Sequence, residues 1–155
     1  MSYLAKRLTQ TNKAVEKMKK ENIYKGKQKE LGPWFTGSLI VRKEETGKER
    51  TFILTEVGGQ YFEVEVIPES VAQYIGRKDQ NGVQIWEGDI CRFSYSGVRH
   101  VGWISYNLSF AEYDIVWKDT LPSGTSGYTR RPFRLAERIE KIGNVFDEFD
   151  LLEKK

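Results

Sequence analysis

Residues 71–93 read VAQYIGRKDQNGVQIWEGDICRF, and the punctuation of this stretch decides the fold. Apolar and aromatic runs flank Lys78-Asp79-Gln80-Asn81-Gly82. Asn-Gly is the dipeptide of a tight hairpin, because both residues accept the positive φ that matches the twist of the flanking strands. A second break, Glu87-Gly88-Asp89, redirects the chain. The segment therefore reads as a short strand Gln73–Gly76, a returning strand Val83–Glu87, a bend or bulge, and a core strand Ile90–Tyr95. That is antiparallel β structure.

The same reading extends in both directions. Upstream, Trp34–Arg42, Arg50–Val57 and Tyr61–Ile67 alternate as strands around a polar turn at Glu44–Lys48 and a Gly58-Gly59 turn, which makes a three-stranded meander. Pro68-Glu69-Ser70 ends it and starts a short turn at Ser70–Gln73. Downstream, Arg99–Tyr106 and Tyr113–Lys118 are strands and residues 119–132 read as a loop. Phe133–Arg138 is either strand or short helix, Ile139–Phe146 a final strand, and Asp147–Leu152 one helical turn. Residues 27–35, with Gly32-Pro33, read as a linker.

Residues 2–22 carry the helical signal. Leu4, Leu8, Val15 and Met18 form a narrow apolar stripe with Thr11 in its gap, Ser2 is placed as N-cap, and Gly26 lies past the last Lys-rich turn. Such a stripe stabilises little alone and has to dock on its own domain or on a partner, a second copy included. The charge distribution sets this segment apart. Residues 1–30 hold nine Lys/Arg against three Glu, a balance of +6, whereas the other 125 residues hold sixteen against nineteen, a balance of −3. Membrane-surface binding fits poorly, since the apolar face has no Trp or Phe.

The 155 residues form one domain or a small domain with an appendage, long enough to bury roughly 70% of the unfolded surface without disulfides or metal. Eight Phe, eight Tyr and four Trp suit strands that fill a small barrel or sandwich. The single Cys91 excludes an internal disulfide and reads as a buried thiol in a reducing compartment. No apolar run approaches membrane-spanning length and the N-terminus has no secretory h-region, so a soluble cytoplasmic protein is expected.

Candidate chemistry is sparse. Asp79-Gln80-Asn81-Gly82 resembles a calcium loop but has Gly fourth where that loop needs it sixth, so a plain turn is expected. Asp89 reads as an acceptor for local backbone amides rather than an acid or base. His100 has no Cys or Ser partner at a suggestive spacing and reads as a half-exposed strand residue; one His leaves a zinc site short of ligands. No Walker, HExxH or GxSxG string occurs. The strongest candidate site is SGTSGYTRRPFR (residues 123–134), where Arg130, Arg131 and Arg134 stand beside Tyr128 and Phe133. Arginines of this kind form charge-assisted bonds to phosphate or carboxylate, and the aromatics could stack on unpaired bases. Lys13, Lys17 and Lys20 of the helix are the companion contacts to an anion or nucleic acid. Leu4, Leu8, Val15 and Met18 are the candidate oligomer contacts.

Several segments together resemble the YopX-like family of phage and prophage proteins. They are Asn22–Lys27 (NIYKGK) with Gly32–Gly37 (GPWFTG), Val66–Val71 (VIPESV), Tyr74–Gly82 (YIGRKDQNG) continued by Ile85–Ile90 (IWEGDI), and Ile142–Phe146 (IGNVF). The resemblance spans about residues 22–153 and departs from the pattern at Phe149, where the family usually has Pro. It implies an SH3-like β-roll in the C-terminal half and no assignable activity, catalytic residues or cofactor.

The resulting expectation is a mainly β protein in three parts: a basic amphipathic helix and linker (1–28), a β meander (29–69), and an SH3-like barrel or roll (70–155). It is expected to be a non-enzymatic accessory protein of a phage or prophage acting through protein–protein contacts as a homo-oligomer, with no cofactor, metal, membrane or small-molecule substrate. The alternative is a nucleic-acid-binding module using the Lys-rich helix and the Arg130–Arg134 loop.

Overall fold

The Asp79 carboxylate organises the decisive turn. Its Oδ1 accepts the backbone N–H groups of Asn81 at 2.8 Å and Val83 at 2.9 Å, and its Oδ2 accepts that of Lys141 at 3.0 Å. Burial acts to raise its pKa, but these amides outweigh it and hold the carboxyl below the ordinary range. Gly82 alone takes positive φ in the tip, at 80°. The turn is thus stitched to a strand 62 residues downstream as well as closed on itself. A plain turn is what the structure shows.

The structure, a computed structural model, describes residues 2–7, 23–30 and 32–153. It is mainly β, with eleven strands among the described residues in two antiparallel sheets. The first half supplies β1 (Tyr24–Lys27), β2 (Trp34–Lys43), β3 (Glu49–Val57) and β4 (Gln60–Glu65). A 3-10 turn at Pro68–Ser70 leads to β5 (Ala72–Lys78) and β6 (Gln84–Trp86). Then follow β7 (Asp89–Tyr95), β8 (Val98–Asn107), β9 (Glu112–Thr120), β10 (Ser126–Pro132) and β11 (Glu137–Asn144). Two more 3-10 turns lie at Phe133–Leu135 and Phe149–Leu152.

One sheet has the order β4-β3-β2-β1-β5-β6 and the other β10-β9-β8-β7-β11. Both sheets are open, so the closed barrel expected of the C-terminal half is not formed. The reason is in the pairing: β5 and β6 hydrogen-bond into the first sheet through β1, instead of closing onto β7–β11. Strands from both sides of residue 70 therefore share one sheet. β1, expected as part of the helix-and-linker segment 1–28, is central to it. Tyr-Lys-Gly-Lys is too short and polar to announce a strand, and its neighbours bury Lys25 and Gly26. A cut at residue 28 would remove this strand.

β2 changes partner along its length. Trp34 to Gly37 pair with β1, and Ser38 to Lys43 with β3. Gly37 sits at the changeover, where a Cβ would stand 1.9 Å from the Leu54 carbonyl oxygen, so only glycine lets the strands approach this closely.

The core lies between β5–β6 and the inner face of the five-stranded sheet. Ile75 and Ile85 from one side meet Cys91, Phe93, Ile104, Ile115 and Trp117 from the other, with Phe133 and Ile139 closing it. Cys91 is fully buried, and burial, followed by the Asp89 charge, pushes its thiol up to about 12. At the N-terminus residues 3–7 are helical, and the Ser2 hydroxyl accepts the Ala5 N–H at 3.2 Å as the expected cap. No helix among the described residues is long and apolar enough to cross a membrane.

Candidate functional site

The segment expected as a 119–132 loop is a hairpin. β9 runs to Thr120, a turn closes through the Leu121 N–H to the Thr125 carbonyl at 2.9 Å, and β10 returns in register from Ser126 opposite Thr120 to Pro132 opposite Asp114. Its Gly, Ser and Thr content reads as loop. Tyr128 and Thr129 are nevertheless good strand residues, and β9 offers a full partner.

Alternation along β10 then separates the arginines. Arg130 faces outward, and its guanidinium donates to buried Asp114 Oδ2 at 3.1 Å and to the Ser105 hydroxyl at 3.1 Å. Arg131 donates to the carbonyl of Arg130 at 2.8 Å. Arg134 lies in the Phe133–Leu135 turn and lines a separate cavity with Arg77 and Glu112. The three do not converge. Leu4 is exposed on the short N-terminal helix; Leu8, Lys13, Val15, Lys17, Met18 and Lys20 lie outside the described residues.

What the register assembles instead is the outer face of the five-stranded sheet. Trp103 opposes Val116, which opposes Arg130, while Tyr128 opposes Lys118, so these side chains share one surface. Trp103 and Tyr128 make an edge-to-face pair with centroids 5.6 Å apart. The C-terminal turn lies against them: Phe149, Leu152 and Glu153 line a cavity of about 450 Å³ together with Trp103, Tyr128 and Arg130. Glu153 pairs with Lys118 at 3.5 Å. Across Leu152 and Glu153 a second cavity of about 390 Å³ opens between Arg92, Arg99, His100 and Val101. His100 leans on Trp117, with ring centroids 4.6 Å apart, and burial lowers its pKa despite the opposing charge of Asp119.

The turn is held in place by short-range bonds. Asn144 Oδ1 accepts the N–H groups of Phe146 and Asp147 at 3.0 and 2.9 Å, and Glu148 Oε2 accepts that of Asn144 at 2.9 Å. Asp147 joins it to the first sheet, accepting from Lys27 Nζ at 2.7 Å and Trp34 Nε1 at 3.1 Å.

A second polar constellation was not foreseen. Asp89 does accept the local Trp86 N–H, at 2.8 Å, as expected, but its fully buried carboxylate also lies between two lysines. Lys141 Nζ stands 3.1 Å from Oδ2 and Lys25 Nζ 3.6 Å from Oδ1. Lys25 is held over the rings of Trp34 and Trp86, at 4.9 and 5.3 Å from their centroids. Burial lowers the Lys25 pKa and raises that of Asp89, in each case against the attraction of the opposite charge. Among the described residues no group of three or more His, Cys, Asp or Glu is placed to hold a metal ion.

A family model described as YopX protein matches residues 18–153. The chain belongs to the YopX family. No curated protein and no solved structure matches it. The family match takes in both sheets and the C-terminal turn, so both constellations of this YopX-family protein lie within it.

Proposed function

We propose that this YopX-family protein is a non-enzymatic, cytoplasmic accessory protein of a phage or prophage that self-associates through the outer face of its five-stranded sheet. The observation that carries this reading is what already lies there. Phe149-Asp150-Leu151-Leu152-Glu153 is an acidic segment with apolar anchors; Phe149 and Leu152 line the aromatic cavity and Glu153 meets Lys118. An apolar floor with a basic rim of Arg92, Arg99, Lys118 and Arg130 suits a segment of that chemistry, and the C-terminal segment of a second copy supplies one.

The test is light scattering on the full-length protein and on Trp103→Ala/Tyr128→Ala, with circular dichroism to establish that the variant folds. The expected result is a multiple of the monomer mass that falls to the monomer in the variant. A strict monomer in the parent protein overturns the proposal.

A second reading is a surface for single-stranded nucleic acid, favoured by the interleaving of Trp103 and Tyr128 with Lys118 and Arg130. Against it, Arg130 is already engaged by Asp114 and Ser105. Binding of an oligonucleotide that weakens steeply with salt and in Lys118→Ala would establish it. No binding at low salt disposes of it.

A further inference from the structure

The Lys25–Asp89–Lys141 cluster is unevenly paired. Two ammoniums share a single buried carboxylate, whose Oδ2 takes both Lys141 and the Trp86 amide. Lys25 is served worst. At 3.6 Å its Nζ is beyond hydrogen-bonding range of Oδ1, and that fully buried oxygen accepts no hydrogen bond. Buried charges of this kind are ordinarily paired and hydrogen-bonded, so an ammonium left in this state marks a place for an acceptor.

Space for one adjoins it. A cavity of about 140 Å³ opens at the seam of the two sheets, lined by Lys25, by the apolar surfaces of Trp34, Val145 and Phe146, and by Glu69 and Glu87. Lys25 itself is only 8% exposed, so the charge is delivered to the cavity and not to bulk water. The lining also discriminates. Glu69 and Glu87 disfavour a second negative charge, which works against phosphate and sulfate. The aromatic and Val145 walls favour a short alkyl group.

We propose that this cavity binds a small monocarboxylate, with its carboxylate against the Lys25 ammonium and its alkyl part against Trp34, Val145 and Phe146. The ligand supplies Lys25 with the hydrogen-bond acceptor that Asp89, at 3.6 Å, does not. This site is separate from the outer face of the five-stranded sheet, and its test does not depend on self-association.

The four tryptophans provide the readout. Trp34 and Trp86 flank Lys25, while Trp103 lies on the outer sheet face and Trp117 in the core. In ¹H–¹⁵N spectra of the full-length protein, acetate and propionate are expected to shift the Trp34 and Trp86 indole resonances saturably and to leave Trp103 and Trp117 in place. Phosphate at equal ionic strength is expected to do neither. Lys25→Gln should abolish the response. Should that variant fail to fold, Val145→Phe, which fills the cavity and leaves the charges intact, decides the matter by the same loss. A response absent in the parent protein, uniform over all four indoles, matched by phosphate, or retained in a folded variant overturns the proposal.

Discussion

Replacing Asp89 by Asn tests the charge cluster most directly, because the amide oxygen can still accept the Trp86 N–H while the charge and the acceptor facing Lys25 are lost. At 3.6 and 3.1 Å, and with an effective dielectric constant of about 20, each lysine gains roughly 5 kcal/mol of gross attraction from the carboxylate, most of it offset by desolvation of the three groups. The substitution forfeits the attraction and keeps the desolvation. Lys141, with a side chain 21% exposed, can turn toward water; Lys25, at 10% and enclosed by two indoles, has to remain buried or release its proton. Proton release caps the penalty. It costs about 1.4 kcal/mol for each pH unit below the ordinary lysine value of 10.5, hence about 5 kcal/mol at pH 7.

The expected loss at pH 7 is therefore about 3–5 kcal/mol, on the order of 10 °C in Tm. The sign with pH follows from the same group. Between the depressed folded pKa of Lys25 and 10.5 the unfolded chain binds more protons, so stability rises with pH across that window. In the variant the window reaches lower. Urea unfolding at pH 7 and at pH 9.5 should show the deficit shrinking to roughly 1.4 kcal/mol at the higher pH, with unchanged m-value. A deficit below about 1 kcal/mol at pH 7, or one that does not shrink, refutes the reasoning.

Two further perturbations separate local from assembled effects. Gly37→Ala forces a Cβ to within 1.9 Å of the Leu54 carbonyl and should cost about 3 kcal/mol or more, whereas Gly82→Ala meets nothing within 4 Å and should cost only about 1–2 kcal/mol for its positive φ; equal losses on urea unfolding would contradict the assignment of β2's changeover. Glu65, hydrogen-bonded by Arg50 and then Lys29, has its carboxyl lowered from 4.5 to about 2. Its contribution to stability is thus present above pH 4.5 and lost as pH falls toward 2, and a carbon-detected NMR titration should show the midpoint moving back toward 4.5 in Arg50→Ala.

How much of this was written in the sequence depends on the range of the interaction. The Asp79 turn, the Gly88 bend, the Ser2 cap and the strands on either side were legible, because turn chemistry and period-two alternation act over two to six residues. β1 and β10 were not. Tyr24–Lys27 and Ser126–Pro132 have compositions typical of connections, and they are strands because a neighbouring strand offers its ladder. Losing β10 as a strand also misjudged the arginines. A loop lets Arg130 and Arg131 face one ligand, while a strand sends them to opposite faces.

The charge cluster was out of reach for a stronger reason. Lys25, Asp89 and Lys141 come from β1, β7 and β11, and they meet only because β1 sits between β2 and β5 at the seam of the two sheets. Read singly, Lys25 is a lysine in a basic segment and Lys141 a lysine in a late strand, while Asp89 after its Gly bend announces only the local amide bond it does accept. Openness of the sheets accounts for the seam site alone. Had β5 and β6 closed onto β7–β11, the seam beside Lys25 would be filled by strand pairing. Leaving them in the other sheet keeps Lys25, on neighbouring β1, beside an open cavity. A search for the function of this fold should therefore begin where the two sheets fail to close.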